Sequence, residues 1–187
     1  TYQNYEIIMA DNGSTDPKMH ELYAEFEQQL PGRFFVESID IPFNFSTINN
    51  RAVKKAHGEY LLFLNNDTEV ITENWLTLMV SFAQQERIGC VGAKLLYPNN
   101  TVQHAGVILG LGGVAGHGHY GYPHGDLGYF GRLAINVNYS AVTAACLLMK
   151  KADFDAVGGF EEAFTVAFND VDLCLKVQAL GRDNVWL

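Results

Sequence analysis

Four short polar clusters in this sequence contain residues that could bind a ligand or move a proton. They are Asp11-Asn12-Gly13-Ser14-Thr15-Asp16, Asn65-Asn66-Asp67, Asn169-Asp170-Val171-Asp172, and His117-Gly118-His119 with the nearby His124. Carboxylate and amide oxygens accept hydrogen bonds from a ribose or a base, and they are the ligands that Mg²⁺ and Mn²⁺ prefer. A carboxylate can also accept a proton from a reacting hydroxyl group. Each cluster has a plain structural interpretation as well.

The first cluster follows the apolar run 6–10, at the end of a predicted strand. Its side chains could accept hydrogen bonds from a nucleoside. The alternative is an Asx-rich turn that needs no ligand. Asp16 precedes Pro17, which is the pattern of a helix cap followed by proline in the first helical position.

The second cluster could hold a divalent metal ion against a diphosphate. Such an ion takes only one or two protein carboxylates together with phosphate oxygens and waters, so the single Asp67 is sufficient. The alternative is a solvated turn.

The third cluster begins a predicted helix. Successive helical residues are ~100° apart, so Asp170 and Asp172 point in nearly opposite directions and only one can face a given pocket. The alternative is that both acids stabilise the positive end of the helix dipole.

The histidine cluster lies in the glycine-rich segment 105–131. His-x-His can bind zinc, but glycines give such ligands little rigid support, so a mobile loop that serves as a lid or contacts an acceptor is favoured over a metal site. The glycines do not form a dinucleotide-binding fingerprint, because they do not lie between a clear strand and a helix.

Alternating strands and helices must position the first two clusters. The predicted strands are Glu6–Ala10, Phe34–Ile39, Tyr60–Leu64 and Cys90–Ala93, and helices begin near Asp16, Ser46 and Thr72. This alternation predicts an α/β fold with a mostly parallel sheet and helices on both faces. Ligands bind such sheets beyond the carboxyl ends of the strands, where both clusters lie.

The second half has fewer regular signals. We predict a strand at Ala145–Lys150, a short helix at Phe154–Val157, a helix at Asn169–Leu180 and a last strand that begins at Val185.

Composition excludes several classes of protein. The chain has 187 residues, which suits one domain, and 48% of them are hydrophobic. Its net charge of −9 argues against sequence-independent nucleic-acid binding. The separated Cys90, Cys146 and Cys174 are expected to be reduced, as in a cytoplasmic protein. No apolar run reaches the ~18 residues of a membrane span.

Six ordered blocks resemble the family 2 glycosyltransferases, particularly bacterial rhamnosyltransferase-like and polysaccharide enzymes. The blocks are Glu6–Asp16, Asn50–Asp67, Gln103–Gly113, Val142–Lys150, Gly158–Phe160 and Asn169–Leu175. The resemblance implies a GT-A type fold that binds a nucleoside-diphosphate sugar. The family's first strand would precede Thr1 and a late histidine would follow Leu187, so we expect a fragment of one catalytic domain that lacks its first strand.

The resemblance also implies roles for particular residues. Asp170 would be the general base, and Asp67 with Asn65 would hold Mg²⁺ or Mn²⁺. The nucleotide would be bound by Asp11, Asn12, Ser14, Asn50 and Asn66. About residues 1–95 would then form the nucleotide-sugar half, and about 96–187 the half that binds the acceptor and carries the base.

The expected reaction is an inverting transfer from a UDP- or dTDP-sugar to a saccharide or lipid-linked acceptor in bacterial cell-envelope synthesis. The full-length protein would work in the cytoplasm, with peripheral association at the inner face of the membrane. Two alternatives remain open: a non-catalytic transferase-like binding module of a larger protein, and a sugar nucleotidyltransferase, which would release pyrophosphate.

Overall fold

The first half of the chain alternates strands and helices, as its apolar pattern predicts. The computed structural model describes residues 2–187. The elements of this half are β1 (Ile7–Asp11), α1 (Pro17–Gln29), β2 (Phe34–Ser38), α2 (Phe45–Val53), β3 (Tyr60–Leu64), α3 (Trp75–Ala83) and β4 (Ile88–Gly92).

The second half contains five very short strands before its longer elements. In chain order, the elements of this half are β5 (Leu95–Leu96), β6 (Val102–His104), β7 (Val107–Leu109), β8 (Ala115–His117), β9 (Val137–Tyr139), β10 (Cys146–Lys150), α4 (Lys151–Ala156), α5 (Asn169–Ala179) and β11 (Asp183–Trp186). The first five are the very short strands. The glycine-rich segment therefore holds antiparallel strands, with β7 paired to β8. Its aromatic residues reach solvent, and Phe130 is 88% exposed.

The main sheet has five strands in the order β3-β10-β4-β11-β9. Strand β10 lies antiparallel between β3 and β4, which makes the sheet mixed, whereas β11 runs parallel to β4. Strands β1 and β2 form a separate parallel pair. The apolar run of β10 suits a central strand that is covered on both faces.

Helices cover both faces of the main sheet, which confirms the predicted α/β class. Side chains alternate along β10, so Leu147 and Met149 pack with α4 and α5 while Cys146 and Leu148 pack with α3. All three cysteines are buried free thiols. Within residues 2–187, none of the helices combines the length and the apolar character needed to span a membrane.

Three helix starts differ from the predicted ones, and one of them is α4, which begins at Lys151 and not at Phe154. The cap of α2 is Asn44, whose side chain accepts a hydrogen bond from the Thr47 N–H, instead of Ser46. Ser46 lies inside α2, and its hydroxyl donates to the Phe164 carbonyl at 2.7 Å. Helix α3 begins at Trp75 after Asn74 and not at Thr72. Ser, Thr and Asn all cap helices well, so local sequence does not choose among neighbouring candidates.

Candidate active site

The segment 143–145 lies between the second polar cluster, Asn65-Asn66-Asp67, and the third, which contains Asp170, and it is hydrogen-bonded to both. Strand register places Cys146 of β10 opposite Leu64 of β3. The residues beyond these ends are therefore adjacent, and the Asn65 N–H donates to the Ala145 carbonyl at 3.0 Å. On the other side, the Ala144 N–H donates to Asp170 Oδ2 at 3.1 Å. Two hydrogen bonds thus connect the end of β3 to the start of α5.

The turn that follows β3 presents unpaired oxygen ligands to solvent. Asn65, Asn66 and Asp67 are exposed, and the Thr68 hydroxyl donates to the Asn65 carbonyl at 2.8 Å. The Asp67 carboxylate has no hydrogen-bond or ion-pair partner within residues 2–187. In that part of the chain, no three His, Cys, Asp or Glu side chains form a metal cluster. These donors suit a hard cation that shares its coordination with a diphosphate and not a cage made by protein alone.

Asp170 is oriented by backbone donors. Its Oδ1 accepts from the Val171 N–H at 2.8 Å and its Oδ2 accepts from Ala144. The residue that caps α5, Phe168, has a φ of 64°, a left-handed conformation that is costly for a bulky side chain and is often found at functional sites. Asp172 instead pairs with Lys176 at 2.7 Å. As predicted from helical geometry, the two acids face different surroundings.

Two pockets adjoin these groups, and His117 lines both. A pocket of about 200 Å³ lies between the 107–117 hairpin and the start of α5, where Asp170 also lines it. A pocket of about 140 Å³ is lined by Thr143 and Ala145. In the first pocket, Asn169 is buried and its Nδ2 has no partner within the described residues. Buried polar atoms are normally satisfied, so this nitrogen, which lies out of reach of solvent, is an exception at the start of α5.

The cluster after β1 makes the turn and the cap that its pattern allows. Asp11 is buried at the carboxyl end of β1 and its Oδ1 accepts from the Ser14 N–H at 3.1 Å. Asn12 Nδ2 donates to the carbonyls of Ile39 and Ile41 at 2.7 and 2.9 Å. Asp16 caps α1. These contacts fix the cluster at the edge of the β1–β2 pair, while its contact with a nucleotide stays a prediction.

Asn50 forms two hydrogen bonds with the backbone of the segment that leads to α5. Its Oδ1 accepts from the Phe160 N–H at 3.0 Å and its Nδ2 donates to the Phe160 carbonyl at 2.9 Å. Gly159 has a φ of 75°, and a Cβ there would lie 2.7 Å from Asn50 Oδ1. The Asn50 side chain is therefore hydrogen-bonded to the protein backbone, and its predicted contact with the nucleotide stays a prediction.

The three histidines of the glycine-rich segment have different partners. His119 Nε2 accepts from the Tyr129 N–H at 3.1 Å, and His124 is exposed. His117 Nδ1 instead lies 2.8 Å from Nδ1 of His104, a fully buried residue. Burial lowers the pKa of His104 to about 3, and burial also lowers the pKa of His117 although the Asp170 charge opposes that shift. Sequence reasoning missed the importance of His104, which it noted only as part of the block 103–113.

Comparison with known proteins identifies the family. The sequence model described as glycosyl transferase family 2 matches residues 1–157. The chain belongs to this family. Among curated proteins, this glycosyltransferase chain is 53% identical over 186 residues to the uncharacterized protein y4gI of Sinorhizobium fredii, covering 99% of the chain and 20% of that protein. It is 44% identical over 181 residues to the O-antigen biosynthesis protein RfbC of Myxococcus xanthus, covering 96% and 14%. The chain thus spans a fifth or less of these relatives.

Solved structures show the fold. GalNAc-T7 with UDP, GalNAc and Mn²⁺ superposes with a TM-score of 0.76 at 14% identity, covering 97% of this chain and 36% of that one. The mannosyltransferase PcManGT from Pyrobaculum calidifontis, in complex with GDP-Man and Mn²⁺, gives 0.65 at 14% identity, with coverage of 96% and 44%. TarS 1–349 from S. aureus gives 0.62 at 16% identity, with coverage of 97% and 48%. The family 2 chain therefore has the GT-A fold of glycosyltransferases.

Proposed function

We propose that this family 2 domain transfers a sugar, with inversion, from a nucleoside-diphosphate sugar to a hydroxyl group of a saccharide or lipid-linked acceptor. The observation that carries the proposal is the pair of hydrogen bonds through Ala144 and Ala145, which brings the exposed turn after β3 next to Asp170. A site for the leaving diphosphate and a proton acceptor are then adjacent, as a single displacement requires.

The roles follow from the chemistry of each group. Asp170 would take the proton of the acceptor hydroxyl while that oxygen attacks the anomeric carbon and the bond from this carbon to the diphosphate oxygen breaks. Its two backbone hydrogen bonds hold the carboxylate in place before substrate binds. No covalent intermediate forms, so no nucleophilic side chain is needed.

A divalent metal ion fits the exposed donors of the turn. Asp67 and Asn65 would hold Mg²⁺ or Mn²⁺, which when bound neutralises the charge of the diphosphate. The net charge of −9 is compatible with this assignment, because a bound cation offsets the repulsion between an acidic protein and an anionic diphosphate. The Mn²⁺ named for two structural neighbours also supports it.

The nucleotide half would comprise about residues 1–95, and the acceptor half about 96–187. Asp11, Asn12, Ser14, Asn50 and Asn66 remain the proposed nucleotide contacts, with a UDP- or dTDP-sugar as donor. The similarity to an O-antigen biosynthesis protein supports a role in surface polysaccharide synthesis. We propose that transfer takes place in the cytoplasm, at the inner face of the membrane, where soluble donors and lipid-linked acceptors meet.

Calorimetric titration tests the donor site. UDP, dTDP and GDP are added to the chain and to the full-length protein with and without Mn²⁺. We expect one nucleotide to bind only when Mn²⁺ is present, and Asp67→Ala to weaken that binding at least tenfold. Glu69→Ala, which removes an exposed carboxylate two residues away, is the matched control and should bind normally.

Three results would contradict the proposal. Binding that is indifferent to Mn²⁺ and to Asp67→Ala would remove the metal role of the turn. If no nucleotide binds to the full-length protein under any of these conditions, the transferase function itself is wrong. Release of pyrophosphate during turnover would instead indicate a nucleotidyltransferase.

A further inference from the structure

The buried pair His104–His117 is the feature that the proposed mechanism does not use. We propose that His117 donates a hydrogen bond from Nε2 to a substrate hydroxyl oxygen in the pocket it shares with Asp170, and that His104 is a positioning residue that fixes the tautomer of His117. The proposal rests on the proposed glycosyl transfer. It assigns a specific donor atom to a residue for which the sequence suggested only a metal site or a mobile loop.

The first step concerns His104, whose Nε2 faces two backbone donors. The N–H groups of Gly106 and Thr143 both lie 3.4 Å from this nitrogen. Backbone N–H groups can only donate, so His104 Nε2 must be unprotonated to accept from them. The ring is fully buried and neutral. Its one proton is therefore on Nδ1.

The second step derives the tautomer of His117 from that of His104. The two Nδ1 atoms are 2.8 Å apart, which is a hydrogen bond and requires one donor and one acceptor. Because His104 Nδ1 carries the proton, His117 Nδ1 accepts it, and the neutral His117 ring carries its own proton on Nε2. The opposite arrangement would place a proton on His104 Nε2 against two N–H donors, leaving both of them unsatisfied in the interior.

The third step concerns what the Nε2–H group meets. The half-buried His117 ring lines both pockets, and the Asp170 charge is close enough to affect its pKa. The larger pocket thus combines a carboxylate acceptor from Asp170 with a donor from His117. A hydroxyl group matches this pair, since its hydrogen is donated to the carboxylate while its oxygen accepts from the His117 Nε2–H group. The ligand class that fits is a saccharide hydroxyl.

The fixed tautomer also separates the roles of the two residues. A neutral imidazole that carries its proton on Nε2 cannot bind a metal ion or accept a proton through that atom. Asp170 is then the proton acceptor of this pocket, and His117 is a donor only.

Nuclear magnetic resonance tests the tautomers without any assay of activity. Long-range ¹H–¹⁵N correlation spectra of protein that contains ¹⁵N-labelled histidine distinguish the two neutral tautomers of each ring. We expect the Nδ1–H form for His104 and the Nε2–H form for His117 at pH 7.5. In His104→Gln, the side-chain oxygen can replace Nε2 as acceptor but nothing donates to His117, so His117 should become a mixture of tautomers. The reverse assignment in the wild type would overturn the proposal.

Kinetics of the full-length protein test the contact with substrate. The amide nitrogen of Gln is close to the position of Nε2, whereas that of Asn is close to Nδ1. We expect His117→Asn to lower kcat about tenfold to a hundredfold, as expected when one hydrogen bond to the reacting group is lost. His117→Gln should retain more activity, and Mn²⁺-dependent nucleotide affinity should change less than about twofold in both. The exposed His124→Asn is the control and should match the wild type.

The outcomes distinguish this proposal from the function on which it rests. If the wild type transfers sugar and a folded His117→Asn protein has an unchanged kcat, the donor role of His117 is wrong while the transferase function holds. Loss of nucleotide affinity together with kcat would likewise overturn it, because His117 would then be supporting the donor site. If the wild type transfers no sugar, the proposed function fails first, and the spectra still decide whether the two rings have the proposed tautomers.

Discussion

Asp170 is the residue on which the proposed chemistry depends most directly. Its carboxylate is held by the N–H groups of Val171 and Ala144, so it is oriented before any substrate binds. Asp170→Asn preserves its shape but cannot accept a proton. We expect kcat of the full-length protein to fall about 10²- to 10⁴-fold with nucleotide affinity nearly unchanged, measured by product formation and by titration.

Asp172→Asn is the matched control for this prediction. Asp172 lies on the same first turn of α5, but its carboxylate pairs with Lys176. Loss of a partly exposed ion pair changes stability by less than about 1 kcal/mol, so transfer should remain within a few-fold of the wild type. Equal losses of kcat in the two variants would mean that neither acid is the base.

His104 makes the folded protein sensitive to acid. Its pKa falls from the ordinary value of 6.5 to about 3 in the folded state because the ring is buried. Below pH 6.5 the unfolded chain binds a proton at His104 that the folded chain excludes, which favours the unfolded state. The folded state therefore has its full stability from this group above pH 6.5 and loses stability as the pH falls from 6.5 toward 3. Between pH 7.5 and pH 5 the free energy of unfolding should decrease by roughly 2 kcal/mol from this group.

Urea denaturation at both pH values measures this loss. His104→Gln removes the titrating ring, so its free energy of unfolding should depend less on pH over the same interval. His117, whose pKa is also lowered, contributes with the same sign in both proteins. An identical pH dependence of the two proteins would contradict the assignment to His104.

For single residues, the sequence shows where polar clusters lie but not which partners their side chains have. The carboxyl ends of strands and the starts of helices are visible as patterns, and Asp67 and Asp170 lie at such positions, while their roles remain predictions. The partner of His104 is separated from it by 13 residues and is chosen by the pairing of short strands. Asn50 binds the backbone of Phe160, 110 residues away, a contact that no local pattern contains.

Among the elements, the approach of β7 to β9 depends on a glycine. Gly106 has a φ of 85°, and a Cβ there would lie 2.2 Å from the Tyr139 ring. Gly110 has nearly the same φ of 83° but nothing within 4 Å of the position of its Cβ. Substitution of Gly110 therefore tests the cost of backbone strain alone, whereas substitution of Gly106 adds the cost of steric overlap with Tyr139.

Substitution by alanine at these two glycines measures the difference. Gly110→Ala should cost about 1–2 kcal/mol of unfolding free energy, which is the penalty of a left-handed conformation. Gly106→Ala should cost more than this by at least about 1 kcal/mol, because the buried Tyr139 must also move. Urea denaturation provides both values. A Gly106→Ala protein no less stable than Gly110→Ala would show that Tyr139 can shift freely.

Elements with strong periodicity were predicted and the shortest ones were not. Helices α1 and α5 and strands β1, β3 and β10 lie within one or two residues of their predicted bounds. Strands β5 to β9 have two or three residues each, too few for an alternating pattern to be recognised. They form because backbone N–H and C=O groups that are removed from water must find hydrogen-bond partners.

For the whole molecule, composition and alternation were enough to predict the α/β class but not the mixed sheet. The apolar run of β10 has the same pattern in either direction, so its antiparallel position between β3 and β4 is not encoded in periodicity. That position matters for function, since it brings the start of β10 to the end of β3.

The separation of the β1–β2 pair from the five-stranded sheet predicts uneven stability across the protein. Helix α1 buries only Tyr23 and the strands of the pair are largely half-buried, whereas every residue of β4 is buried. Regions with few buried contacts open at lower free energy than the core. Amides of β1 and β2 should therefore exchange with deuterium faster than those of β4 and β10, which mass spectrometry of peptic fragments can measure. Uniform exchange across both regions would contradict this.

This unevenness has a consequence for ligand affinity. The β1–β2 pair carries Asp11 and its neighbours, the proposed nucleoside contacts. If only part of the population has this region closed at any moment, the apparent dissociation constant increases by the inverse of that fraction. A nucleotide that binds there should slow deuterium exchange in β1 and β2 while β4 stays unchanged, so donor binding would coincide with a local folding transition in the segment from Ile7 to Ser38.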